Sequence, residues 1–471
     1  MSELNEIVEL AGNSVTFDGR QLHINDEGRL RKALGSLVET SALGSSSTAG
    51  WARLLIRLAA LEQGIFPASI HDLYAARGRG EVPLTFTVPA LNLRVLSYHA
   101  ARAVFRVAHK MNAGAFIFEI ARSEIGYTGQ RPAEYSANVL AAAIAERWTG
   151  PVFLQGDHFQ VSAKQFNADA LTEVGAVRDL TSEAIAAGFY NIDIDSSTLV
   201  DVSRPAVRDQ QETNYRLTAE LASHIRELEP QGVTVSIGGE IGEVGGHNST
   251  AEELKAFMDG FSAELKRLAP GETGLSKISI QTGTAHGGTV LPNGSLAQVN
   301  IDFRTLKELS QLARAQYGLG GTVQHGASTL PEDAFHKFVE YEAVEVHLAT
   351  NFMTIFYEHA PEELRRRMYA WLDEHAAGER KPGMTDEQFY YKTRKNAIGP
   401  FKAPLYGLPD SARAGVAAAW EAQFEKLFQL LGMQDTRQYV ESFVHPVRVE
   451  PDSRSYIGQK ASADLADDLQ D

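Results

Sequence analysis

No cysteine occurs in the 471 residues. Its absence excludes disulfides, iron–sulfur clusters, thiolate zinc sites and a cysteine nucleophile, and leaves any transition-metal site to His, Asp and Glu. No apolar run approaches the length of a membrane span. The opening Met1-Ser-Glu-Leu-Asn-Glu is acidic where a secretory leader would be basic, so the expectation is a soluble, cytoplasmic protein with no membrane partner. An excess of positive charge is missing too. With a net charge of −16 and dispersed acids, nucleic-acid binding is not expected, although a local basic pocket can still hold phosphate. Neither a P-loop nor the dinucleotide fingerprint occurs. The acidic stretch 461–471 reads as solvated.

What is present is length and rhythm. A chain of this size buries a large core without staples. Residues 1–80 read as a mostly helical extension with one hairpin around 13–24, turned at Asp18-Gly19, and with the serine-rich stretch 44–50 as a linker loop. From residue 84, short apolar segments alternate with helices, the pattern of repeated βα units. Eight strands are expected, at 84–90, 115–120, 151–155, 190–195, 234–239, 277–282, 321–324 and 343–347. The fold class is therefore α/β, a (β/α)8 TIM barrel over 81–355 with an N-terminal extension and a C-terminal helical extension over 356–471. Within the latter, the basic run Lys392-Thr-Arg-Lys-Asn396 with Lys402 fits an approach to an anionic substrate or, more simply, a solvated helix face.

Chemistry in such a barrel sits where the strands end. The third strand, Pro151-Val-Phe-Leu-Gln155, runs through Gly156 into Asp157 and His158. Read alone, this also fits a turn in which Asp157 caps a helix and His158 packs. On an extended segment, adjacent residues point to opposite sides, so Asp157 and His158 are expected to face different partners. The pattern recurs with Asp193 and Asp195 (fourth strand), Glu240 (fifth), His286 (sixth), His325 (seventh) and His347 (eighth). Neutral imidazoles from His158, His286 and His325 can meet at a divalent ion in one mouth, with Glu240 beside them.

Four motifs carry a resemblance to the class II, metal-dependent fructose-bisphosphate and tagatose-bisphosphate aldolases: Asp-His at 157–158, Glu-Ile-Gly-x-x-Gly-Gly at 240–246, Gly-Thr-x-His-Gly at 283–287 and His-Gly-x-Ser at 325–328. The likeness runs from Phe86 to about Met353. It implies a lyase that cleaves or forms a carbon–carbon bond in a phosphorylated ketose, giving dihydroxyacetone phosphate and an aldehyde. It also implies a Zn(2+) ion held by His158, His286 and His325 with Glu240 an alternative or structural ligand, Asp157 as the acid/base residue, and a homo-oligomer. Gly287, Gly326, Ser328 and Thr350 correspond to the pocket for the ketose phosphate, with Asn92 and Asp195 as further mouth positions.

The chain departs from the pattern in several places. Acids are usual just after the Gly-Gly pair, where His247 and Asn248 stand; the usual Asn-x-Asp-Thr is His347-Leu-Ala-Thr350; and a small residue that is often serine is Ala121. His247, or else His347, is the candidate replacement for the missing acid. Two other readings stay open. One is a non-catalytic partner like the accessory subunit of tagatose-bisphosphate aldolases, which Tyr127-Thr-Gly129 and Gly156-Asp-His158 resemble; the histidine trio argues against a mere scaffold. The other is a different metal-dependent sugar-phosphate barrel enzyme.

Overall fold

The structure, a computed structural model, describes residues 2–19, 21–242, 247–283, 291, 301–327 and 330–457. Eleven strands occur among them: β1 Val15–Phe17, β2 Leu22–Ile24, β3 Ile65–Ala68, β4 Val88–Asn92, β5 Ile117–Ala121, β6 Gly150–Gln160, β7 Asn191–Asp195, β8 Ser236–Glu240, β9 Lys277–Ile280, β10 Thr322–Gln324 and β11 Glu345–Leu348. Strands β4 to β11 pair in parallel, each with the next, and β11 returns to β4. This closes the eight-stranded barrel that the βα rhythm predicts, with helices outside. No helix among the described residues is long and apolar enough to cross a membrane.

Three local findings differ from expectation. The serine-rich stretch is not a linker, because Ser45 caps the helix Ser46–Glu62 by accepting from the Thr48 N–H. Short hydroxyls favour that position over a free loop. Gly50 of this helix lies against the Tyr456 backbone, where a Cβ would sit 2.2 Å from the carbonyl oxygen. Second, β3 is an unforeseen ninth strand that pairs with the first residues of β6, Ile65 opposite Gly150 through Ala68 opposite Phe153, while β7 pairs with the later ones. Asn191 seals the fork: its Nδ2 donates to the carbonyls of Ala68 (3.1 Å) and Leu154 (2.9 Å), and its Oδ1 accepts from the Ile70 N–H (2.9 Å). Third, β6 carries a register shift between Gly156 and Phe159. His158 lies there at φ 39°, and a Cβ on Gly156 would be 2.5 Å from the Phe159 ring.

The helix His71–Gly78 closes the amino-terminal end of the barrel. Arg77 donates to the carbonyls of Phe86 (2.7 Å) and Ala343 (3.1 Å), and the Tyr74 hydroxyl donates to Glu345 inside the barrel. One continuous apolar core runs from Ile7 to Tyr456, so both flanking segments pack on the barrel itself.

Burial lowers His71 from 6.5 to about 4, helped by the nearby Arg226, and lowers His99 to about 4, helped by Arg413. Below pH 6.5 the unfolded chain binds protons there that the folded chain refuses, so these two groups remove stability as pH falls from 6.5 towards 4. The urea midpoint is expected to drop across that window. The variant H71Q/H99Q should drop less steeply, and an unchanged slope in it would contradict the assignment.

Candidate functional site

At the carboxyl end of β6 the bulge overrides strand alternation, and Asp157 and His158 both face the barrel interior. This corrects the expectation that they point to opposite sides; a left-handed residue inside the strand turns the second side chain inward. Both are 5% exposed. His158 Nε2 lies 2.9 Å from His325 Nδ1, and the two ring centroids are 4.2 Å apart. Each imidazole has its other nitrogen tied: His158 Nδ1 is 3.1 Å from Asp195 Oδ2, with Glu240 at 3.4 Å, and His325 Nε2 is 2.9 Å from the Ser279 hydroxyl. Asp195 is itself anchored, accepting from Gln160 Nε2 (2.6 Å), the Ser197 hydroxyl (2.7 Å) and the Ser197 N–H (3.0 Å).

This donor set suits a divalent cation. Nitrogen and carboxylate ligands converge, and carboxylate and hydroxyl partners fix the outward nitrogens of both rings, as is usual behind histidine ligands. Asp157, His158 and His325 offer ligand atoms within 4.8 Å of one another, as do His158, Asp195 and Glu240. Burial holds the Glu240 carboxyl well above the usual range, with Asp195 adding to the rise. Burial also disfavours charge on His158, but the carboxylates of Asp157, Glu240 and Asp195 outweigh it and hold the imidazole well above 6.5.

Deeper in the barrel lies a second set of groups that strand-end reasoning did not collect. Lys277, wholly buried, donates to Glu345 (2.5 Å), Gln155 (2.7 Å) and Asp193 (2.9 Å), and Gln155 donates to Glu119 (2.7 Å) and Glu345 (2.9 Å). His347 sits above them, its Nε2 2.6 Å from Glu345 and its Nδ1 3.0 Å from Asp157. Asn92 donates to Asp157 (2.8 Å) and to Glu124 (3.0 Å), and Glu124 pairs with Arg94. Burial by itself would raise Asp157, but the cationic rings of His158 and His347 hold its carboxylate well below the ordinary range. The signal in the sequence was a charged residue in a short strand, inside it at Glu119 and at its first position at Lys277 and Glu345.

Of the residues singled out by sequence, Asp157, His158, Glu240, His325, Asn92, Asp195 and His347 come together. Gly326 follows His325 at φ 68°, and Thr350 opens the helix Thr350–His359 directly after β11. His247 does not join the cluster; it is largely exposed, its Nε2 2.6 Å from Glu253. His286, Gly287 and Ser328 lie outside the described residues.

The basic run of the C-terminal segment is solvated only in part, at exposed Lys392. Lys392 pairs with Glu379 and Lys402 with buried Glu134. Arg394 is 7% exposed, lies over the rings of Tyr391 (4.1 Å) and Tyr357 (5.7 Å), and donates to the Thr354 hydroxyl (2.7 Å). Thr354 in turn donates to the Thr350 carbonyl (3.2 Å). Burial lowers Arg394, and the nearby charge of Arg94 adds to this.

These features define a closed parallel (β/α)8 barrel with a buried histidine–carboxylate centre at its carboxyl mouth. The chain belongs to the class II fructose-bisphosphate aldolase family, whose family model, "Fructose-bisphosphate aldolase class-II", matches residues 84–402. No curated protein sequence matches it significantly. Among solved structures, the chain is similar to fructuronate-tagaturonate epimerase UxaE from Cohnella laeviribosi, at 13% identity and TM-score 0.51, covering 90% of each chain. A protein from Sinorhizobium meliloti 1021 described as a probable tagatose 6 phosphate kinase matches at 16% identity and TM-score 0.51, over 75% of this chain and all of that one. Fructose-bisphosphate aldolase (Fba) from Campylobacter jejuni matches at 17% identity and TM-score 0.46, over 78% of this chain and 94% of that one.

Proposed function

We propose that this protein is a zinc-dependent class II aldolase that cleaves or forms a carbon–carbon bond in a phosphorylated ketose. The observation that carries the reading is the facing pair of ring nitrogens on His158 and His325, 2.9 Å apart, with the Asp157 carboxylate beside them. His158 and His325 would hold the ion, with His286 and Glu240 as further ligands. A bound divalent ion supplies Lewis-acid stabilisation for negative charge on the ketone oxygen.

The remaining chemistry belongs to the chain. Asp157 takes the proton from the hydroxyl on the distal carbon; that carbon becomes an aldehyde as its bond to the carbon beside the ketone breaks, and the electron pair of the broken bond passes to the ketone oxygen. Arg94 and Arg394 suit the anionic end of the substrate. Replacing Arg394 by Gln is expected to raise KM roughly tenfold with kcat within about threefold, the signature of lost uniform binding. An unchanged KM would remove Arg394 from substrate recognition.

A second reading is an epimerase acting on a ketose acid. It is favoured by the likeness to the epimerase over 90% of both chains, flanking segments included, and by His247 and Asn248 in place of the usual acids. Bond cleavage by Asp157 is common to both reactions; in the epimerase the aldehyde stays bound, turns and is re-attacked on its other face. Zinc-loaded protein tested with a panel of ketose phosphates and ketohexuronates separates the two. Triose phosphate release in a coupled assay supports the aldolase, and inversion followed by NMR without fragment release supports the epimerase. No turnover of any member would contradict both.

A further inference from the structure

Asp157 is gripped at both oxygens, by His347 at Oδ1 and by Asn92 at Oδ2. Behind His347 the contacts continue without a gap to the closed end of the barrel, through Glu345 to Lys277, Gln155 and the Tyr74 hydroxyl. Four carboxylates lie within 4 Å of the two imidazole nitrogens: Asp157 and Glu119 (3.3 Å) at Nδ1, and Glu345 and Asp193 (3.6 Å) at Nε2. Both nitrogens therefore act as donors. The His325 ring packs on His347 with centroids 4.1 Å apart, so the imidazole cannot turn without giving up its bonds. A ring with both nitrogens committed to protein carboxylates has none left for substrate.

We infer that His347 is a positioning residue for Asp157: together with Asn92 it fixes the torsion of the carboxylate, leaving the remaining lone pairs of Asp157 aimed at the mouth where His158 and His325 converge. The inference rests on Asp157 being the base of the proposed reaction. It gives position 347 a task different from proton shuttling and from direct substrate contact.

The test compares H347L with H347N, whose amide keeps one donor near the position of Nδ1. With the best ketose of the panel, H347L is expected to lose kcat by about 10²-fold with KM within about threefold, as for a misaligned catalytic group. H347N should regain at least about tenfold, and both should keep the zinc content of the parent. A readout independent of turnover is the downfield imidazole N–H resonance of His347 in zinc-loaded, histidine-labelled protein. It should vanish in both variants and shift in D157N. The inference is overturned if H347L keeps kcat within about threefold, if H347N is no better than H347L, or if the resonance ignores D157N. Should the parent turn over no ketose, the proposed function fails, while the resonance still decides whether His347 is coupled to Asp157.

Discussion

Replacing His158 and His325 together by alanine is expected to reduce bound zinc from about one ion per chain to below about a tenth, and turnover by at least about 10³-fold. Two facing nitrogens are lost at once, and the groups that oriented them, Asp195 and Ser279, are left without a ligand to hold. The fold should survive, because the change trims two side chains at the mouth while the floor of the barrel keeps its own pairing through Lys277, Glu345 and Tyr74. Metal content measured by mass spectrometry, with far-UV circular dichroism to report folding, checks both halves of the expectation. A variant that is folded and still carries a full complement of zinc would show that the ion is bound elsewhere.

Asp157→Asn is expected to act in the opposite sense, keeping the metal and losing the chemistry. The amide fills the same space and can still accept from His347, but it cannot take a proton from a hydroxyl. The expected loss is about 10²- to 10⁴-fold in kcat, the usual range for removing a general base. Zinc content should stay near that of the parent, because the facing nitrogens of His158 and His325 are untouched. Equal loss of metal and turnover in D157N would recast Asp157 as a ligand instead of a base, a role that its place within 4.8 Å of the His158 and His325 donor atoms makes worth measuring.

The barrel was legible because apolar runs of four to six residues separated by amphipathic helices admit few other folds, and strands such as Lys277–Ile280 begin where the letters change. β3 was not legible: it is four residues long, includes Pro67 and lies in a segment whose sequence reads as mostly helical, and its pairing with the first residues of β6 is what makes a strand of it. The gathering of His158, His325, Glu240 and Asp195 followed from topology alone, since strand ends in a closed barrel share one mouth. Their orientation did not, because the period of two along β6 is broken by a bulge that no local pattern announces. Glu119, Lys277 and Glu345 were passed over because charges in short strands are anomalous only once the barrel interior is known to be closed. Arg394 was hidden for a different reason: a basic run reads as solvated until tyrosines from its own segment and the segment before it are seen to enclose one member.

The central claim is that one divalent ion sits between His158 and His325 beside Asp157. Anomalous diffraction from zinc-loaded crystals tests it most directly. The account predicts a strong peak within bonding distance of His158 Nε2 and His325 Nδ1, with the two rings moved apart just enough to share it. A map with the two rings still hydrogen-bonded to each other and the zinc peak elsewhere, or none, would contradict it.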